Sequence, residues 1–301
     1  MPVGADRCLT VRVSEQQQSP TPVAVSMVLG AIFSIQIGAA IATELFPDIG
    51  PAGVVFMRAL VSAVLLAVIW RPTIETVREN PWLLIVFGVA LTGMNLAFFE
   101  AIDRIPLGTA VTLEFIGPLT VALITSRRRR DWIWAGLAAV GIVLLTGGVG
   151  GEDLDSLGVV LALVAGFFWG SYILLGKKMG KAFAGGRGLA VAMVLSAILT
   201  APLGIAQGGS ALLEPEVLAM GIAVGILSSA IPFSLEIEAM RRLPSSVFGV
   251  MMSLEPAVAA TVGLVILGQT LVPVEAVAIL LVVAASAGAL RSARAPAPLE
   301  P

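Results

Sequence analysis

The chain has no histidine and a single cysteine, and each shortage closes off a chemistry. Without imidazole, no side chain titrates near neutrality at its ordinary value, so any proton relay must run on carboxylates. One cysteine, Cys8, excludes an intramolecular disulfide and leaves a cysteine-based metal site without a second thiolate. Charge is scarce as well: Asp, Glu, Lys and Arg make up 13% of the 301 residues, against 57% hydrophobic, and mean hydropathy is +0.98. A soluble domain carries about 25% charged residues, and this chain has no polar helices to wrap its apolar ones. The longest polar stretch, a tail of about 22 residues at the N-terminus, is too short for a second, water-soluble domain. It lacks an apolar core and a small-residue cleavage site, so it does not read as a signal peptide, and the first apolar run is expected to be retained. There is no Walker A loop, HExxH, Asp-rich metal motif or Gly-x-Ser-x-Gly. An ATP-driven pump, an intramembrane hydrolase and a prenyl-transfer enzyme have nothing to work with, and no metal or cofactor is expected.

What the chain does have is ten apolar stretches, at 23–42, 52–70, 82–102, 107–126, 132–149, 157–176, 189–207, 217–238, 245–267 and 274–290. Each is near the ~20 residues that a helix needs to cross a ~30 Å hydrocarbon core. Sixteen of the eighteen basic residues lie in the two tails and in every second gap. They are Arg7 and Arg12; Arg71 and Arg78; Arg127 to Arg130; Lys177, Lys178, Lys181 and Arg187; Arg241 and Arg242; Arg291 and Arg294. The alternate gaps hold Arg104 alone and carry acids instead, among them Glu44, Asp48, Asp155 and Glu214. Short loops rich in Lys and Arg stay in the cytoplasm, which predicts an even number of spans with both termini inside. The Arg127–Arg130 run reads as an anchor at the inner leaflet rather than a nucleic-acid patch, so no nucleic-acid partner is expected. Trp70, Trp82, Trp132 and Trp134 fall at the same ends as an interfacial belt.

The sequence also aligns with itself at an offset of 138: Glu100-Ala101 meets Glu238-Ala239, Arg104 meets Arg242, Pro106 meets Pro244, Pro118 meets Pro256 and Ala122 meets Ala260. Five spans is an odd number, so a duplicated unit of five is necessarily inverted, an architecture of secondary transporters. The expected fold is therefore an all-α membrane protein of two inverted five-helix repeats. Its parts are a tail at 1–22, a first repeat at 23–149, a second at 157–291 and a tail at 292–301.

Charges inside spans cost at least ~2.5–3.5 kcal/mol each and are functional candidates. Glu114 lies roughly 12 Å below the outer surface, and Glu255 roughly 15–17 Å from the inner one, at 1.5 Å per residue. Each neighbours a proline, Pro118 and Pro256, that leaves a carbonyl without its helical donor. Such a carbonyl beside a carboxyl suits an ammonium group or a proton; the plainer alternative is a glutamic acid bonded to a neighbouring helix. Glu236 follows Pro232 towards an inner end. Glu100 and Glu238 lie close enough to an interface to snorkel. Arg58, the one basic residue inside a span, suits either a substrate carboxylate or a structural ion pair. Asn95, Trp169 and Tyr172 are candidate cavity-lining residues, the two aromatics sharing a helix face. Gly166-x-x-x-Gly170 and Gly221-x-x-x-Gly225 permit close helix approach.

Several stretches resemble the drug/metabolite transporter superfamily with paired EamA domains, most closely its threonine/homoserine exporter branch. They are Gly93-Met94-Asn95, Pro106-Leu107-Gly108, Leu113-Glu114-Phe115 with Gly117-Pro118, Leu227-Ser228-Ser229 with Pro232-Phe233-Ser234-Leu235-Glu236, Leu243-Pro244, and Met252-Ser253-Leu254-Glu255-Pro256. The resemblance runs over residues 23–291. It implies export of small amino acids or related metabolites across a bacterial plasma membrane by proton antiport with alternating access. Pro118, Pro256 and Pro232 are then expected as hinges. The expected partners are a small-molecule substrate, protons and the lipid bilayer, with a homodimer left open. Gln269, after Gly268, stands where relatives commonly carry Glu. An exporter of drugs or purines on the same scaffold, or a membrane regulatory protein without a transport cycle, are the rival readings.

Overall fold

The computed structural model describes residues 22–125, 131–146, 154–242 and 251–292, and among these the regular structure is entirely helical. Cys8, the Arg127–Arg130 run and the Leu243-Pro244 pair fall outside them.

The first half comprises α1 (Pro22–Thr43), α2 (Phe46–Trp70), a short α3 (Ile74–Glu79), α4 (Pro81–Ile102), α5 (Leu107–Glu114), α6 (Ile116–Thr125) and α7 (Asp131–Thr146). The second comprises α8 (Ser156–Ala182), α9 (Arg187–Gly208), a 3₁₀ turn (Gly209–Leu213), α10 (Pro215–Gly225), a π-helical turn (Ile226–Ala230), α11 (Ile231–Arg242), α12 (Glu255–Ile266) and α13 (Pro273–Ser292). Six helical stretches are long and apolar enough to cross a membrane: 22–43, 46–70, 81–102, 156–182, 187–213 and 215–236. Shorter apolar helical segments occupy 107–121, 132–144, 255–266 and 273–285. Large apolar side chains stand on the outside along these helices, Val68 at 66%, Phe167 at 70% and Val265 at 73% exposure. Water would penalise such a surface at about 25 cal/mol per Å², whereas lipid does not.

Several boundaries differ from the sequence expectation, each for a local reason. α2 begins at Phe46 rather than 52 because Gly50 adopts φ 67°, a left-handed value open to glycine, and lets the helix bend and resume at Pro51. The helix α3 was not anticipated in the second gap. It is held by reciprocal capping, Thr76 N–H donating to Thr73 Oγ1 at 3.4 Å and Thr73 N–H to Thr76 Oγ1 at 3.2 Å. The run expected at 107–126 breaks at Phe115, and the run at 217–238 contains the π turn. All three expected hinge prolines sit within the first three positions of a helical segment: Pro118 in α6, Pro232 in α11 and Pro256 in α12. A proline there breaks no bond inside its own segment and withholds one only across the junction with the segment before it.

Packing pairs helices from opposite halves: α2 with α9, α4 with α8, α1 with α11, α5 with α12 and α7 with α13. Glycines set the closest approaches. A Cβ on Gly166 of α8 would stand 2.6 Å from the carbonyl oxygen of Glu114, and one on Gly225 2.7 Å from Val61 of α2. At the acid-rich end of the bundle, side chains from one half cap helices of the other. Gln207 Oε1 accepts from Ala52 N–H at 2.9 Å, and Gln269 Oε1 from Leu107 N–H at 3.1 Å. Arg104, there too, lies 3.9 Å from Asp155 and 4.0 Å from Glu100.

Candidate functional site

The helix interruptions place the polar groups. Glu114 is the last residue of α5 and Glu255 the first of α12, so each carboxyl stands where its helix breaks, and both are buried, at 8% and 5% exposure. Glu236 of α11 is buried beside them. The carboxyls interact electrostatically, Glu255 with both Glu236 and Glu114, and Glu114 in turn with Arg58. The fold thus gathers Glu114, Glu236, Glu255 and Arg58, drawn from α2, α5, α11 and α12, into one group.

Arg58, buried in α2, is held entirely by neutral partners. Its Nε donates to Ser229 Oγ at 3.1 Å, Nη2 donates to Ser229 Oγ at 2.8 Å and to the Ser228 carbonyl at 2.7 Å, and Nη1 donates to Asn95 Oδ1. Its guanidinium also lies over the Phe99 ring, 4.9 Å from the centroid. Among the described residues no carboxylate comes within 4.0 Å of it, so the expected alternative of a structural ion pair is not what the structure contains. Asn95 completes its own bonding by donating from Nδ2 to the Leu91 carbonyl at 2.7 Å.

The carbonyl under Arg58 has a sequence-level cause. An N–H at position 232 would reach back to Ser228 in α geometry or to Leu227 in the wider π geometry, and Pro232 has none. Both carbonyls are taken by side chains instead, Ser228 O by Arg58 and Leu227 O by Ser34 Oγ at 2.6 Å. Ser62 Oγ likewise donates to Gly225 O at 3.2 Å. The freed carbonyl at Pro118 behaves differently. That oxygen, on Glu114, abuts the Gly166 backbone, so it is covered by packing rather than open to a ligand.

Glu255 bonds to a group the sequence reading passed over. Gln36 of α1, 1% exposed, donates from Nε2 to Glu255 Oε1 at 3.2 Å. An amide in the middle of an otherwise apolar run was the available signal, since a buried amide must find a partner. The aromatic candidates are packed on rings: Trp169 meets Phe115 edge-on at 5.3 Å, and Tyr172 stacks on Phe87 at 5.0 Å. Tyr172 also lies within electrostatic reach of Glu236. Glu238, near the end of α11, pairs with Arg242 at 2.5 Å and stands apart from the central group.

A fixed cation beside several carboxyls in a dry interior can hold a small zwitterion, its carboxylate on the arginine and its ammonium on an acid. Comparison with known proteins agrees with a transport role. The EamA-like transporter family matches residues 156–291. The threonine/homoserine exporter RhtA of Escherichia coli (strain K12) is 40% identical over 280 residues, covering 92% of this chain and 95% of that protein. Its namesake in Salmonella typhimurium (strain LT2) is 41% identical over 277 residues, covering 91% and 94%. A solved crystal structure with 20% sequence identity superimposes at a TM-score of 0.63 over 92% of this chain and 98% of its own, which shows a shared fold.

Proposed function

The chain belongs to the EamA-like transporter family, in the threonine/homoserine exporter branch of the drug/metabolite transporter superfamily, and from that premise we propose that it exports small amino acids of the threonine or homoserine kind by proton antiport. It is a multi-pass membrane transporter and not an enzyme.

The architecture of this reading is ten spans in two inverted repeats of five. The six long and four shorter apolar helical segments supply that number. Packing supports the inversion, because exchanging the halves leaves the pairings unchanged. The pairs α2–α9 and α7–α13 map onto themselves, α4–α8 maps onto α11–α1, α4–α9 onto α10–α2, and α6–α8 onto α12–α1. The helix breaks at Phe115 and at Ser253-Leu254 also fall at equivalent positions of the 138-residue offset. The basic gaps support a cytoplasmic side for both termini. Alternating access then amounts to the two halves rocking about the central polar group.

The observation that carries the substrate class is Arg58: a buried full charge whose neighbours within bonding distance are an amide oxygen, a hydroxyl and a carbonyl. A substrate carboxylate supplies the missing anion, taking the remaining Nη1 hydrogen and displacing one of these neutral acceptors, while its ammonium faces Glu114 or Glu255. Protons entering from outside displace the ammonium, and substrate entering from inside displaces the proton. Counterflow in proteoliposomes tests this directly. Vesicles loaded with threonine should accumulate labelled threonine and homoserine but not labelled purines. Purine accumulation with no response to either amino acid would overturn the substrate class.

A further inference from the structure

Among the described residues, two oxygen atoms are buried without a hydrogen-bond partner, and they belong to residues already bonded to each other: Gln36 Oε1 and Glu255 Oε2. A buried polar atom left in that state is costly, so each calls for a donor. Both orphans are acceptors when the carboxyl is ionised. Each is attached to the same carbon as an atom of the existing 3.2 Å bond. With the amide and carboxyl planes brought edge to edge about that bond, a single donor would satisfy both at once.

We propose that Gln36 and Glu255 form one donor site that is filled in turn by the carboxyl's own proton and by the substrate's ammonium group. This rests on the amino-acid antiport reading above and adds Gln36 to it as the residue that positions the proton. With a proton on Oε2, Glu255 donates to Gln36 Oε1 while Gln36 Nε2 donates back to Oε1, a closed acid–amide ring with nothing orphaned. When substrate arrives, the proton leaves Oε2 for water on the open side. The ammonium then donates one hydrogen to the carboxylate and another to the amide oxygen. One positive charge replaces one positive charge, so the pair cannot hold both together, which is the exchange an antiporter requires.

The surroundings keep that choice strict. Of the helices packed against α12, α1 contributes no charged residue, α5 contributes Glu114, and α13 carries Glu275 and Arg291 only near its two ends. Glu236 of α11 acts on Glu255 as well. The charges that act on Glu255 itself are thus further carboxyls, which favour occupancy by one cationic donor, while Arg58 acts on Glu114.

Infrared difference spectroscopy of the full-length protein between acid and alkaline pH reads the proton directly. The carbonyl band of protonated Glu255 is assigned by its loss in Glu255→Gln. It should sit at the position of a hydrogen-bonded acid in the parent and move to that of an unbonded acid in Gln36→Met, which keeps the side-chain length. Gln36→Asn, whose amide is too short to reach, should show the same shift and guards against misfolding of the first variant. A band unmoved in both overturns the proposal. Threonine should bleach the parent band and release a proton. Gln36→Met should need roughly ten- to hundred-fold more, the worth of one hydrogen bond to a charged group. The N,N,N-trimethyl form of threonine, which has no donor, should bleach neither. Equal bleaching by threonine and its trimethyl form overturns the ammonium arm. A band that shifts as expected but answers to no primary amine keeps the proton arm and overturns the amino-acid reading instead.

Discussion

Replacing Gly166 by alanine tests how tightly the site is built. An added Cβ would lie 2.6 Å from the Glu114 carbonyl oxygen and 3.3 Å from its carbonyl carbon and α-carbon, where ordinary contact begins at 3.4 Å. Both sides of the contact are backbone, so no side chain can swing away, and α8 and α5 must separate by ~0.8 Å. Overpacking of this kind costs ~1–3 kcal/mol, and the Gly→Ala gain in a helix returns about 0.5–1 kcal/mol. The net is a loss of up to about 2.5 kcal/mol, or a fall of a few degrees in Tm. Function should suffer more, because Glu114 moves with its own carbonyl and a binding constellation tolerates only ~0.5 Å. Exchange should fall by roughly tenfold or more, on the same arithmetic that makes ~1.4 kcal/mol a factor of ten. Gly176→Ala, on the same helix, provides the control, since nothing lies within 4 Å of its added carbon. Thermal unfolding and threonine counterflow should separate the two variants. If Gly166→Ala matches Gly176→Ala in both measurements, α8 does not position Glu114 and the reasoning fails.

Glu255→Gln should abolish proton-driven accumulation while leaving some substrate exchange; uphill transport at the parental rate would remove Glu255 from the coupling. Pro118→Ala and Pro256→Ala should slow turnover more than they weaken binding and bias the transporter in opposite directions. A reporter cysteine near residue 95 measures this from each side, and a shift of both variants the same way refutes it. In a Cys8→Ala background, cysteines at 129 and 153 should label from the inside and the outside respectively; the reverse pattern inverts the topology. Gln269→Leu orphans the Leu107 N–H and should lower stability by about 1 kcal/mol in thermal unfolding, whereas Gln269→Glu, which still accepts, should not.

Much of this arrangement is readable from the chain because a membrane makes polar groups expensive. Glu114, Glu255 and Arg58 stood out for that reason, and Asn95 lies against Arg58 in the structure. Gln36 did not stand out, because an amide costs less than a charge and hides in a run where serine and glutamine are tolerated. The bends were equally hard to see. On either side of Phe115, and through the π turn at Ile226–Ala230, the residues are similarly apolar, so hydropathy is blind to where the axis turns. Prolines marked these neighbourhoods only approximately: Pro118 and Pro232 follow their breaks rather than sit at them. Which half's side chain caps which helix, as Gln207 and Gln269 do, depends on partners more than 150 residues away and leaves no local trace.

Those two glutamines turn helix capping into a conformational latch. The N–H groups of Ala52 and Leu107 are among the donors a helix start leaves bare, and each is answered by an amide oxygen from the opposite half. Any motion that parts the halves at this end uncaps both helices in the same stroke. At ~1 kcal/mol per cap, the closed arrangement is favoured by ~2 kcal/mol, about thirtyfold in population. The amide is neutral, so the latch keeps this strength at any pH at which the protein works. On the proposed cycle, opening is then triggered by the charges at the centre without the rim answering to the same protons. A carboxylate at position 269 would accept the same bond but would make the strength of that rim depend on its own proton.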